Sequence, residues 1–332
     1  VNPFAILSRL IAADGAAALV TVVGARGSTP REAGARMVVS RAGDIAGTIG
    51  GGRLENEAIA AARRLLQAGA DGADVVRFAL GPALGQCCGG HVTVLVEAFT
   101  AARLDAVSAL AASIDAGPVT VVADVEAGRP VDRRVTGPGE RRPTASLDRS
   151  RLVETIGRRR RPVYLFGAGH VGRAVVLALA PLPFSVTWID ERDGMFPAAV
   201  PGGTRCVSVA DPETTVAAMP ADAFVLIMTH DHEVDLRILH AVLSGRGAAY
   251  VGLIGSATKR ARFERRLIEG GLSREVATAF RCPVGVAGIV SKEPASIAAS
   301  IAADFLVADE AASGAAPGTR PLLAAVGPAR AG

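Results

Sequence analysis

The chain is poor in aromatics, cysteine and long apolar runs, and each scarcity closes off a class of protein. Aromatic residues make up 4% of 332 residues while hydrophobic residues make up 50%, so any core is built mainly from Ala, Val, Leu and Ile. Four cysteines, two of them adjacent, form no extracellular disulfide framework and suit a reducing compartment. No charge-free apolar run reaches the roughly 18–20 residues of a spanning helix. The N-terminus carries no basic-then-apolar secretory signature. A cytoplasmic protein without a membrane span is therefore expected. The net charge of +4 is spread along the chain. Its one basic run, Arg158 to Arg161, precedes a strand and reads as a solvated linker end, so no nucleic-acid partner is expected. A modest basic balance suits an anionic small molecule.

The length fits two domains. Apolar periodicity predicts a helix over 4–13, a buried strand over 18–23, a polar turn over 24–31, a strand over 36–40 and another from Ile45. A helix over 54–68, strands over 75–80 and 92–96, a helix over 104–116 and a strand over 119–125 complete an α+β domain, residues 1–126. Residues 128–149 are rich in Pro, Gly, Arg, Asp and Ser without periodicity. Residues 127–160 therefore read as a linker or mobile connection. Short apolar runs at 163–166, 185–189, 223–228 and 250–254, separated by helical stretches, predict a Rossmann-type parallel-sheet domain over 161–311. Residues 312–332 read as a loose tail. The fold class is α/β, an α+β domain followed by a Rossmann-type one.

The feature least explained by packing is Gly85-Gln86-Cys87-Cys88-Gly89-Gly90. Neighbouring cysteines make a poor disulfide, but they offer soft thiolates for sulfur chemistry or a soft metal. The flanking glycines admit close backbone approach. The alternative is a glycine-rich turn with small buried residues. In the same half Arg26, Ser28, Thr29 and Arg31 crowd one turn. Gly50, Gly51 and Gly52 precede Arg53 and Glu55 at a helix start. Arginines with hydroxyls suit an oxyanion, unless the turn is an ordinary solvated hairpin.

In the second half Gly167-Ala168-Gly169-His170-Val171-Gly172 follows a strand and opens a helix, and Asp190 closes the next strand. This is the dinucleotide fingerprint in its full context, with the acid placed for a ribose hydroxyl. The loop serves other phosphate ligands equally, so NAD(P) remains one reading among several. The run Thr229-His230-Asp231-His232-Glu233-Val234-Asp235 follows a buried strand at the edge where ligands of open α/β sheets gather. It offers metal or ligand contacts, or in Asp231 simply a helix cap. Gly255 and Ser256, with Lys259 and Arg260 behind them, resemble another phosphate-friendly turn. Cys282 reads as structural rather than reactive, and Cys206, after a strand entry, is given no functional reading.

Taken together, 23–31, Gly47-Thr48-Ile49-Gly50-Gly51-Gly52 with Glu55, 86–90, 166–171, 229–232, 254–256 and Cys282-Pro283-Val284-Gly285 resemble the signatures of the xanthine dehydrogenase accessory protein (XdhC/CoxI) family. The resemblance spans nearly the whole chain. Cys-Pro-Val-Gly stands where the family commonly has Cys-Pro-Ile-Gly. The resemblance implies a maturation factor rather than a conventional enzyme, with no catalytic residue assigned. Such a protein binds molybdenum cofactor, supports its sulfuration with a cysteine desulfurase and delivers it to xanthine dehydrogenase or a related molybdenum hydroxylase. Its implied contacts are Cys87 and Cys88, toward molybdenum, with Gln86, Gly89, Arg26, Ser28, Thr29, Arg31, Gly51, Gly52 and Glu55. In the second domain they are Gly167, Gly169, His170, Gly172, Asp190, His230, Asp231, His232, Gly255 and Ser256.

Both domains could grip one cofactor or each hold its own ligand. A homodimer is a further expectation. Two rivals stand beside this reading: an NAD(P)-dependent oxidoreductase, which leaves the double cysteine without a role, and a cofactor-free docking scaffold.

Overall fold

The computed structural model describes residues 2–80, 90–139, 143–245 and 247–312. The chain divides into two compact units, residues 1–159 and 160–332.

The first unit opens with helix α1 (Pro3–Asp14). Asn2 caps it by accepting from the amides of Phe4 and Ala5, and Gly15, in the left-handed region, ends it. Strands β1 (Ala16–Arg26), β2 (Arg36–Ser40), β3 (Ile45–Gly47), β4 (Gly72–Ala79) and β5 (His91–Thr100) form an antiparallel sheet in the order β3-β2-β1-β5-β4. Both faces of β1 are covered, so it is buried continuously over Ala16–Val23 instead of alternating. Ala16, Ala18, Val20 and Val22 pack against helix α2 (Gly52–Ala68) through Leu54, Ala58, Ala62 and Leu66. Ala17 and Leu19 face Phe4, Leu7 and Ile11 of α1 and Val107, Ala111 and Ile114 of helix α3 (Leu104–Ala116).

Of the stretch 127–160, expected as a linker, the described residues up to 159 instead belong to this unit. Strands β6 (Val119–Asp124), β7 (Arg134–Pro138), β8 (Thr144–Asp148) and β9 (Arg151–Ile156) form a second sheet in the order β7-β6-β9-β8. Its residues Ala123, Ala145 and Leu152, with Val131 of the β6–β7 connection, pack on Val23, Ala73 and Leu95 of the first sheet. The apolar alternation is weak because β7 and β8 are exposed edge strands, where polar residues and Pro are favoured.

Among the described residues of this unit, four charged side chains are buried together. Arg133 donates bidentately to Glu97 (both 2.7 Å) and through Nε to Glu154 (2.7 Å), and Arg36 donates to the other oxygen of Glu154 (2.9 Å). Arg133 and both glutamates are nearly inaccessible, and the Arg133 guanidinium also lies over the Phe4 ring. Burial works against the Glu154 charge, but Arg133 and Arg36 outweigh it and hold the carboxyl below the ordinary range. A carboxylate depressed in the folded state stabilises the fold above its unfolded pKa, about 4.3. That contribution is lost as pH falls through the folded value. The first unit is therefore expected to lose urea resistance on acidification below about pH 4, and Glu154→Gln should flatten that dependence.

The second unit is a five-stranded parallel sheet of β10 (Arg161–Phe166), β11 (Phe184–Asp190), β12 (Thr204–Ser208), β13 (Phe224–Ile227) and β14 (Tyr250–Leu253), in the order β12-β11-β10-β13-β14. Helices α4 (His170–Leu179), α5 (His232–Ser244), α6 (Ala257–Glu269), α7 (Arg274–Ala277) and α8 (Pro294–Ala312) complete it. Val163 and Leu165 pack with Val175, Leu179, Ile301 and Phe305 of α4 and α8, and Tyr164 and Phe166 pack with Ile238 of α5 and Phe263 of α6. The fold is thus α/β with a Rossmann-type parallel sheet. Strand β12 is the one that the apolar runs do not reveal, because it is a half-exposed edge strand with Arg205 and Ser208 exposed. Arg161 is not a solvated linker end either. It is buried at the start of β10, donating to Asp309 (2.8 Å) and to the Asp222 carbonyl (2.9 Å). Among the described residues no helix is long and apolar enough to cross a membrane.

Candidate functional site

In the first unit, strand register gathers the glycine-rich loops at one end of the sheet. Arg26, the last residue of β1, pairs with His91, the first of β5. His91 also pairs with Ala79 at the end of β4, and Gly47 ends β3 beside Met37. The turn after β1, the 47–52 loop and Gly90 therefore meet. A Cβ on Gly90 would lie 2.4 Å from the Ser28 carbonyl oxygen and 2.6 Å from that of Arg26. One on Gly50 would lie 2.5 Å from Pro30 Cβ. The amide of Leu80 donates to the Gly90 carbonyl (2.7 Å). Gln86, Cys87, Cys88 and Gly89 lie outside the described residues.

Glu55 shapes this end. It accepts from the Thr48 hydroxyl (2.5 Å) and from the amides of Ile49 (3.0 Å) and Gly51 (3.1 Å). Burial opposes its charge, but these donors prevail and hold the carboxyl below its ordinary value. Glu55 is thus spent on the loop. No side chain caps α2 at Gly51, where a Cβ would meet nothing within 4 Å. A helix N-terminus open in this way favours an anion. Arg26, Ser28, Arg31 and Gly52 are exposed around it, Thr29 is half-buried, and Arg31 Nη1 reaches the Thr48 carbonyl at 3.5 Å.

In the second unit the loops at the carboxyl ends of β10, β11, β13 and β14 carry the other predicted residues. A Cβ on Gly167 would lie 2.3 Å from the Met228 carbonyl oxygen, and one on Gly172 would lie 2.2 Å from that of Gly167, so the turn demands glycine at both. Gly169 faces open space at the N-terminus of α4, with no side chain capping the helix. His170 is exposed beside it. A crevice of about 200 Å³ is lined by Gly167, Asp190, Glu191, Thr229 and His230.

The histidine-aspartate run is divided among separate tasks. Asp231 caps α5, accepting from the amides of Glu233 and Val234. His232 lies edge-on to the Phe263 ring. His230 points its Nδ1 at Glu191 (3.6 Å). Asp235 is fully buried and accepts from the Thr229 amide (2.9 Å), the Thr229 hydroxyl (2.7 Å) and Lys259 (2.6 Å). Lys259, one of two lysines in the chain, also donates to the Ile254 carbonyl (3.0 Å). It therefore ties two ligand-edge loops together, and the exposed Ser256 caps α6 by accepting from the Lys259 amide. Among the described residues no group of three His, Cys, Asp or Glu is placed to hold a metal ion. Burial pushes the Cys282 thiol up, against Lys259 and Arg260 nearby. A protonated thiol packed behind Gly255 follows. Sequence reasoning missed the Lys259–Asp235 tie because the partners are 24 residues apart. Its one local signal is a buried-face acid at the fourth helical position of α5.

Two family models match the chain in sequence order. The XdhC and CoxI family matches over residues 10–79, and the XdhC Rossmann domain over residues 163–305. The chain belongs to the XdhC and CoxI family. The first match takes in the 26–31 and 47–55 loops and the second takes in every carboxyl-end loop described above. The double cysteine falls between them. The uncharacterized protein YqeB of Escherichia coli (strain K12) is 28% identical over 302 residues, 87% of this chain, and the chain spans 43% of the length of that relative. A protein of Bacillus subtilis (strain 168) described as a probable xanthine dehydrogenase subunit is 26% identical over 336 residues, 92% of this chain and 97% of that protein. The crystal structure of a protein described as a xanthine dehydrogenase from Bacillus halodurans shares the fold, with TM-score 0.76 and 22% identity over 97% of this chain and 98% of that one.

Proposed function

We propose that this XdhC/CoxI chain is an accessory protein of xanthine dehydrogenase or a related molybdenum hydroxylase. It binds molybdenum cofactor as cargo, supports sulfuration of that cofactor with a cysteine desulfurase, and hands it on. The observation that carries the reading is the contact of Gly90 with the 26–28 turn and of Gly50 with Pro30 and Arg31, in the loop that leads into the uncapped N-terminus of α2. The cargo is anionic at its phosphate and soft at its dithiolene-bound molybdenum. Exposed Arg26 and Arg31, the Ser28 and Thr29 hydroxyls and the open helix end suit the anionic part. Cys87 and Cys88 supply the thiolates that suit the soft part. Glu55 keeps the 47–51 loop in the shape that exposes the helix end.

The test is activation of a cofactor-free molybdenum hydroxylase by the full chain loaded with cofactor, beside the Cys87→Ala/Cys88→Ala double variant. The double variant should keep the wild-type melting temperature and lose most of the transfer or sulfuration. Unchanged activation by the double variant removes the cysteines from the site.

A further inference from the structure

The second unit has the dinucleotide fingerprint, yet its ribose-reading acid is already spoken for. In dinucleotide-binding units the acid about 20 residues after the glycines accepts from the ribose hydroxyls. Asp190 holds that position and is 4% exposed. Its Oδ1 accepts from the Arg192 amide (3.0 Å) and Arg192 Nε (2.9 Å), while its Oδ2 accepts from the Ala168 amide (2.6 Å) and Arg192 Nη2 (3.0 Å). A carboxylate offers about four lone-pair sites, and all four are filled from within the chain. Two of the four donors belong to one guanidinium in a fork-to-fork pairing, which is the strong form of this contact.

The strands on either side of β10 close the same place. Glu191 follows β11 and His230 follows β13, and their side chains approach to 3.6 Å across the carboxyl end of β10. The crevice beneath them is bounded by Gly167, Asp190, Thr229 and His230.

We infer that Arg192 is a specificity determinant that withholds Asp190 from a ribose diol and so excludes NAD⁺ and NADH, whose ribose hydroxyls that acid would read, from this Rossmann unit. Asp190 then acts as a positioning residue, fixing the 167–169 turn through the Ala168 amide. The inference rests on the cargo reading only for what the unit serves in place of a nicotinamide cofactor. The exclusion is independent of any cargo.

The experiment is calorimetric titration of the purified full chain with NAD⁺, NADH and NADP⁺, without molybdenum cofactor present. Wild type should show no saturable binding of NAD⁺ or NADH at millimolar concentration, with NADP⁺ as the comparison for a 2′-phosphate facing Arg192. Arg192→Ala and Arg192→Met, checked for an unchanged melting temperature, should gain NADH affinity by about ten- to a hundredfold, the value of hydrogen bonds to a freed carboxylate. Asp190→Asn added to either variant should erase the gain, which loss of bulk at position 192 alone would not do. Saturable binding of NAD⁺ or NADH by wild type overturns the inference, as does a failure of both folded variants to gain affinity. Because pterin content is not measured, either result leaves the cargo reading to its own test.

Discussion

Replacing Arg133 with methionine is expected to unfold the N-terminal unit or bring it close to unfolding. Methionine fills a similar volume but leaves Glu97 and Glu154 buried, one with no partner and the other with Arg36 alone. Breaking a buried pair by removing one partner costs about 3–5 kcal/mol, a large share of a domain's stability. Lysine should not rescue it, because an ammonium cannot reproduce the bidentate contact with Glu97 and the Nε contact with Glu154 together. A triple replacement of Arg133, Glu97 and Glu154 by apolar residues should recover much of the loss. Urea unfolding at neutral pH measures all three. Wild-type stability in Arg133→Met would show that the network carries no load and that 127–160 behaves as a linker after all.

Gly90→Ala should have the next largest effect, on both stability and cargo. The added methyl would meet the carbonyl oxygens of Ser28 and Arg26 at 2.4 and 2.6 Å, and backbone cannot swing aside as a side chain can. Overpacking of this kind costs about 1–3 kcal/mol or more. It also drives apart two of the segments around the α2 N-terminus. Gly137→Ala, in β7, is the control: its Cβ meets nothing within 4 Å and its φ is not positive. If the site is where these loops meet, Gly90→Ala loses cofactor retention at temperatures where it is still folded, while Gly137→Ala keeps it. Equal retention in both would place the cargo elsewhere.

Much of the architecture was readable because it rests on local signals. Asn2-Pro3 and Gly15 bracket α1, Gly69 ends α2, and apolar runs with glycine turns at their carboxyl ends announce a parallel sheet. What was not readable depends on partners distant in sequence. Arg133 looks like one more solvated charge in a Pro- and Gly-rich stretch. It becomes a core residue only when Glu97 arrives from β5 and Glu154 from β9. Half-exposed edge strands such as β7 and β12 have no apolar period to detect. The glycines of the candidate site were visible as motifs, but their meeting was not, because it follows from the register Arg26↔His91↔Ala79. Asp190 shows the opposite limit. Its position in the fingerprint was legible, and its saturation by Arg192, two residues on, was not.

The most direct test of the cargo role is the pterin content of the full chain, purified without oxygen from molybdenum-replete cells and then oxidised to the fluorescent pterin derivative. Pterin approaching one per chain is expected, falling sharply in the Cys87→Ala/Cys88→Ala variant. Absence of pterin from the wild type, persisting after reconstitution with free cofactor, would contradict that role.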